Sequence, residues 1–233
     1  MFEKRSICHS CREKYRKVRG GAPKARERER GEESRTNIIQ IDISKTETVI
    51  DAINTAAENI ATKKIDILVN NAGIIKGQNI GNTNGSDFDI AINTNLKGTY
   101  FMCQEFANYL TANQIKGNIL NISSVSGIRP AISPYMLSKW GINGLTKGLA
   151  KKLIRHGIVV NGIAPGPTAT EMLKCDGSDL THPLSPAGRY VTPEEVANLA
   201  VFLISDMGRM ILGETIVISG GCGNLTYEDM SYN

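Results

Sequence analysis

Tyr135-Met136-Leu137-Ser138-Lys139 lies near the start of Pro134 to Arg155, a stretch with helical patterning, between two short apolar runs, Asn118 to Ile122 and Ile158 to Ile163. Strand, helix, strand in that order predicts a βαβ unit, and its repetition along the chain predicts a parallel sheet. Working back from the pentapeptide, Asp87 to Leu110 reads as one long helix and Ile65 to Val69 as a buried strand. Thr46 to Ala61 reads as a helix with Val49, Ile50, Ile53, Ala57 and Ile60 on one face, preceded by a strand over Ile38 to Ile43. Working forward, Pro193 opens a helix at its first position that runs to about Ser205, and Glu214 to Ile218 is the last strand.

Within the pentapeptide, Tyr135 and Lys139 are four residues apart, so a helix places both on one face. A tyrosine hydroxyl normally ionises near pH ~10. A neighbouring ammonium favours the phenolate, which brings the tyrosine within reach of acid–base work nearer neutrality. Taken alone, such a pair is more often an ordinary helix surface. Company changes that reading. Asn70-Asn71-Ala72-Gly73 follows one apolar run, Ser123-Ser124 ends another and Pro165-Gly166 a third, while Asn95 sits in Asn93-Thr94-Asn95-Leu96-Lys97-Gly98.

In this order the motifs resemble the short-chain dehydrogenase/reductase family over roughly Ile38 to Gly221. The resemblance implies an α/β fold, a single domain with a doubly wound, Rossmann-like parallel sheet. It implies NAD or NADP as cofactor, with no preference readable, and hydride transfer between that cofactor and a ketone or secondary alcohol. The implied partners are a small carbonyl or alcohol substrate and further copies of the chain in a homodimer or homotetramer, and no metal is required.

Carried over by position, the resemblance makes Tyr135 the catalytic acid/base and Lys139 its helper and a ribose ligand. Ser124 becomes the hydroxyl that polarises the substrate carbonyl, and Asn95 the holder of a proton-relay water. Asp42, with Ile43 beside it, would accept a hydrogen bond from the adenine amino group. Asn71, Ala72 and Gly73 would let backbone approach the adenosine ribose. Pro165 and Gly166 would flank the nicotinamide, with Thr168 and Thr170 on its carboxamide. Blander readings stand beside several of these. Asp42 also suits a turn before Ser44, and Asn70 to Gly73 an ordinary Asn/Gly turn. The separation of Ser124 from Tyr135 is shorter than the family usually shows, which keeps Ser123 and Ser126 as alternatives. Asn93, two residues before Asn95, faces elsewhere on a helix. Glu171 to Tyr190 is a long irregular stretch that suits a substrate lid.

A chain of 233 residues with 41% hydrophobic content supports one large α/β domain. No apolar run approaches the ~20 residues of a membrane span, and the N-terminus has no signal-peptide pattern. The five cysteines, at 8, 11, 103, 175 and 222, read as free thiols in a reducing cytoplasm.

The net charge of +4 conceals an asymmetry. Residues 1–36 hold 12 Lys/Arg against 6 Asp/Glu, whereas residues 37–233 hold 15 against 17. The body therefore gives no sign of a nucleic-acid partner. Only nine of the first 36 residues are hydrophobic, and a mixed-charge run spans Lys24 to Arg30. The family needs here a first strand and a glycine-rich turn opening a helix, whose N–H groups hold pyrophosphate. Gly20-Gly21 does not substitute, because no apolar strand precedes it. The expectation is a basic head, residues 1–36, solvated and without the ancestral segment through truncation, a wrong start or a reading-frame slip. Replacement by a basic extension is the alternative. On this reading the Rossmann-like domain occupies 37–233, its first βαβ unit missing or scrambled. Cys8-His9-Ser10-Cys11 lacks the second ligand pair that a structural zinc site needs.

Overall fold

The computed structural model describes residues 37–60, 62–173, 175 and 177–225. The expectations for residues 1–36, the Cys8/Cys11 pair among them, lie outside these. Among the described residues four parallel strands form one sheet in chain order: β1 (Ile67–Asn70), β2 (Gly117–Ile122), β3 (Ile158–Pro165) and β4 (Thr215–Ile218). Pairing is in register, with Val69 beside Leu120, Leu120 beside Asn161, and Ile163 beside Ile216.

Side-chain alternation along the strands divides the core in two. On one face Leu68, Ile119, Ile158 and Val160 meet three helices, α1 (Val49–Glu58), α3 (Thr99–Ala112) and α4 (Pro134–Leu153), around Phe106 and Leu110. On the other, Leu120 and Ile163, with Val69, Ile216 and Ile218, pack on α5 (Pro193–Ile204) through Leu203. Helices on both faces of a parallel sheet are the layering that the alternating pattern predicts.

Helix starts are chemically explicit. The Ser133 hydroxyl accepts from the Met136 N–H at 3.3 Å, with Pro134 in the first turn of α4. At α5, Thr192 and Glu195 form a reciprocal capping box, and Pro193 follows the cap. Asn84 caps α2 (Gly85–Ile92) by accepting from the Asp87 N–H at 2.8 Å.

Two expected elements differ. Ile38 to Ile43 is not a strand; it runs irregularly into a turn at Ile43–Ser44. A strand exists only against a partner, and among the described residues nothing pairs with this segment. Its alternate side chains still do strand-like work, since Ile41 and Ile43 are buried in the core beside Val49 and Leu68. The long helix expected over Asp87 to Leu110 is continuous but not uniform. Between α2 and α3 it passes through a π-helical turn, Asn93–Gly98. Gly98 makes the crossing feasible, because a Cβ there would stand 2.8 Å from the Ile43 carbonyl oxygen.

Candidate active site

All four strands end at the same edge of the sheet, and the segments that follow them carry the candidate residues. That edge is where open α/β sheets bind ligands. After β1 comes Asn71-Ala72-Gly73, after β2 Ser123-Ser124, and after β3 Gly166 to Thr170.

Lys139 sits at the centre, only 5% exposed. Its Nζ donates to the Ile122 carbonyl oxygen at 2.8 Å and stands 5.7 Å from the centre of the Tyr135 ring. Burial holds the ammonium down at about 8, because desolvation disfavours the charged form. The shared helix face expected for Tyr135 and Lys139 is therefore present, and Tyr135 itself is half-buried. Gly73 faces the same point: a Cβ on it would lie 3.4 Å from Asn95 Oδ1 and 3.6 Å from Lys139 Nζ. A methyl group there would already touch both residues, so backbone and the two side chains close on one another at this point.

Asn95 lies in the π-helical turn and is fully buried, whereas Asn93 is exposed. Its carboxamide clasps the backbone of Ile74 at both ends, Oδ1 accepting from the N–H and Nδ2 donating to the carbonyl, each at 2.9 Å. π-turns concentrate at functional sites, and apolar periodicity gives no sign of one.

The three serines separate by what they bond. Ser123 Oγ donates to the Lys139 carbonyl oxygen at 3.1 Å, so that hydroxyl fastens the loop to α4. Ser124 Oγ accepts from the Ser126 N–H at 3.1 Å, capping a short turn at Val125–Gly127, and among the described residues its own proton has no acceptor. Gly127 lets that turn lie against α4, since a Cβ there would stand 2.7 Å from the Lys139 carbonyl oxygen.

The other candidates stand in quieter surroundings. Thr168 Oγ1 donates to Gly166 O at 3.0 Å and Thr170 Oγ1 to Thr168 O at 3.3 Å, so both hydroxyls brace their own loop. Gly166 passes so close to Ser219 that a Cβ would come within 2.7 Å of it. Asp42 is exposed, its carboxylate accepting from the Ser44 hydroxyl at 2.7 Å and the Ser44 N–H at 3.1 Å. Those bonds hold its pKa below the usual carboxylate range. Asp42 thus forms a turn with Ser44, and Ile43 beside it is buried in the core.

Asn70, at the head of its motif, has a role that the motif alone does not give it. Its Nδ2 reaches Asn121 Oδ1 at 2.9 Å and Cys103 Sγ at 3.1 Å, and Asn121 donates onward to Thr146 at 3.0 Å. This buried polar seam ties β1 and β2 to α3 and α4 beneath the site. Burial pushes the Cys103 thiol up to about 12, so it serves as a neutral member of the seam.

Comparison with known proteins gives the family. A family profile described as enoyl-(acyl carrier protein) reductase matches residues 16–223. The chain belongs to the short-chain dehydrogenase/reductase family. It is 39% identical over 178 residues to a 3-oxoacyl-(acyl-carrier-protein) reductase of Thermotoga maritima, covering 73% of this chain and 72% of that one. To a gluconate 5-dehydrogenase of Gluconobacter oxydans it is 34% identical over 187 residues, 77% of this chain and 72% of the other. The solved structure of ElxO with NADP bound superposes with a TM-score of 0.72 at 31% identity, covering 80% of this chain and 78% of that one. Members of this family are NAD(P)-dependent oxidoreductases, and the profile match begins at residue 16, inside the basic head.

Proposed function

We propose that the chain interconverts a ketone and a secondary alcohol, with Tyr135 as the acid/base. A bound NAD or NADP supplies or accepts the hydride. In the reducing direction the Tyr135 hydroxyl gives its proton to the carbonyl oxygen, and the Ser124 O–H donates to the same oxygen as charge develops there. Lys139 favours the phenolate that Tyr135 becomes. Asn95 holds the water through which that phenolate is reprotonated.

One observation carries this reading: a buried lysine, held against the Ile122 carbonyl, placed beneath a half-buried tyrosine one helical turn away. An isolated surface pair would have neither the burial nor the anchor. Lys139 would hold a ribose hydroxyl of the cofactor, Asn71 to Gly73 would let backbone approach the adenosine ribose, and Gly166 to Thr170 would flank the nicotinamide. For the pyrophosphate the fit is poor. Among the described residues, no glycine-rich turn opens a helix at the end of a strand, so none of them cradles a pyrophosphate.

That mismatch favours a second reading, a catalytically impaired pseudoenzyme. The decisive experiment incubates the purified chain with NADH and with NADPH and follows nicotinamide fluorescence, then adds a 3-oxoacyl thioester or a keto sugar acid, after the two named relatives. Binding with substrate-dependent oxidation supports the enzyme; no binding at millimolar cofactor supports the impaired form. Self-association into a homodimer or homotetramer is part of the same proposal. Its motive is the exposed Tyr100 of α3 and Trp140 of α4, which the sheet does not cover. Among the described residues no helix is long and apolar enough to cross a membrane.

A further inference from the structure

We propose that Ser138 is a positioning residue that acts through Asn95, locking the π-helical turn to the turn of α4 that carries Tyr135 and Lys139. The proposal deepens the oxidoreductase reading and rests on it for its kinetic consequence.

Ser138 lies between Tyr135 and Lys139 in the chain and is completely buried. A hydroxyl has one proton to give, and Ser138 Oγ spends it on the Tyr135 carbonyl oxygen at 2.6 Å. Its lone pairs remain, and Asn95 Nδ2 donates to them at 3.2 Å. Both amide hydrogens of Asn95 are then committed, and one of the two lone pairs of Oδ1. One amide hydrogen goes to Ile74 O, the other to Ser138, and Oδ1 receives the Ile74 N–H. Turning the amide over would set its oxygen against the Ile74 carbonyl and its NH2 against the Ile74 N–H, so only one orientation satisfies every partner.

Three segments meet in this arrangement: the loop after β1, the π-helical turn, and the first turns of α4. Serine bonding back to a carbonyl one turn earlier is a common local habit. That habit explains the bond to Tyr135 but not the bond from Asn95, which spans 43 positions of the chain. Removing the hydroxyl leaves one Asn95 amide hydrogen without an acceptor in a buried place. The carboxamide is then free to rotate or retreat, and the Ile74 backbone that it clasps is released with it.

The test is Ser138→Ala, read in two ways. Amide hydrogen exchange by NMR reports the clasp without requiring turnover. The Ile74 N–H should exchange about tenfold faster relative to the amides of Ser123 and Gly166, as expected for a weakened buried hydrogen bond. Those two amides bond across the sheet, to Ile163 O and Ile218 O, and report global stability. A purely structural role would accelerate all three together and overturn the proposal, as would an unchanged Ile74. The kinetic arm is a double-mutant cycle. Ser138→Ala should lower kcat about tenfold with little change in KM, and should add nothing in an Asn95→Ala background. Additive losses would mean that Ser138 does not act through Asn95. A wild-type chain without turnover would count against the oxidoreductase reading alone, and the exchange of Ile74 would still decide the role of Ser138.

Discussion

The Lys139 ammonium is held 2.8 Å from the Ile122 carbonyl oxygen, so a charge buried in α4 is anchored to the last residue of β2. The anchor does not cancel the cost of burial, which lowers the lysine from 10.5 to about 8. The unfolded chain keeps its proton up to the higher value. Below pH 8 the full penalty of the buried charge therefore weighs on the folded state, and it is relieved as pH rises from 8 toward 10.5. Urea midpoints of the wild type should accordingly rise relative to Lys139→Met over that interval. A difference between the two that stays constant across the interval would show that the lysine is not desolvated.

Tyr135→Phe keeps the ring that Lys139 faces and removes the proton. Turnover should fall by at least the ~10²-fold typical of general acid–base groups, with cofactor affinity nearly unchanged. Lys139→Met should depress both, because on the proposed reading the same ammonium serves the tyrosine and the ribose. Steady-state rates together with fluorescence titration of NADH separate the two patterns. A Tyr135→Phe variant retaining more than about a hundredth of the rate would exclude the tyrosine as acid/base.

Ser123 and Ser124 are neighbours with different commitments, so their alanine variants should diverge. Ser123→Ala removes a bond to the Lys139 carbonyl and should cost about 1 kcal/mol of stability while sparing most of the rate. Ser124→Ala should lower kcat by roughly 10²-fold, as loss of an oxyanion donor does. Thermal melts and rates on both variants check this, and the opposite assortment would move the carbonyl-polarising role to Ser123.

Much of this architecture is legible in the sequence, for identifiable reasons. Buried parallel strands such as Ile119 and Leu120 in β2 read as apolar runs, and Ser133-Pro134 and Thr192-Pro193 announce helix starts through their caps. What periodicity misses is set by partners distant in the chain. Ile38 to Ile43 has strand composition, but pairing depends on a neighbour that its own residues do not encode. The π-turn at Asn95 is held by a clasp on Ile74, 21 positions earlier, a partner that the spacing of apolar residues does not encode. The turn at Asp42 is legible in its local partner, Ser44.

Tyr100 and Trp140 are each 47% exposed, while Phe106 and Tyr109, on the same helix as Tyr100, are buried. The sheet thus accounts for only part of the aromatic surface of α3 and α4. A second copy of the chain meeting these faces across a two-fold axis would cover the remainder. Sedimentation at micromolar concentration should show a dimer or tetramer, and Tyr100→Asp with Trp140→Asp should shift it to monomer without unfolding. A strict monomer in the wild type would refute the assembly.

The edge of β1 sets the last expectation. β2 pairs with one side of it, and among the described residues nothing pairs with the other. An open apolar edge favours instability and association, and the same side of the sheet is where the family places its first strand and glycine-rich turn. Residues 1–36, with nine hydrophobic residues and no apolar strand before Gly20-Gly21, are poorly composed to supply either. Cofactor binding by the chain as written should therefore be weaker than micromolar, with a low melting temperature and early proteolysis within residues 1–36. Exchanging those residues for the first βαβ segment of the Thermotoga maritima reductase should raise affinity, melting temperature and turnover together. The three gains share one cause, because a single graft supplies the paired edge and the phosphate cradle. Micromolar or tighter binding of NADH or NADPH by the unaltered chain would show that residues 1–36 build a phosphate site of another kind.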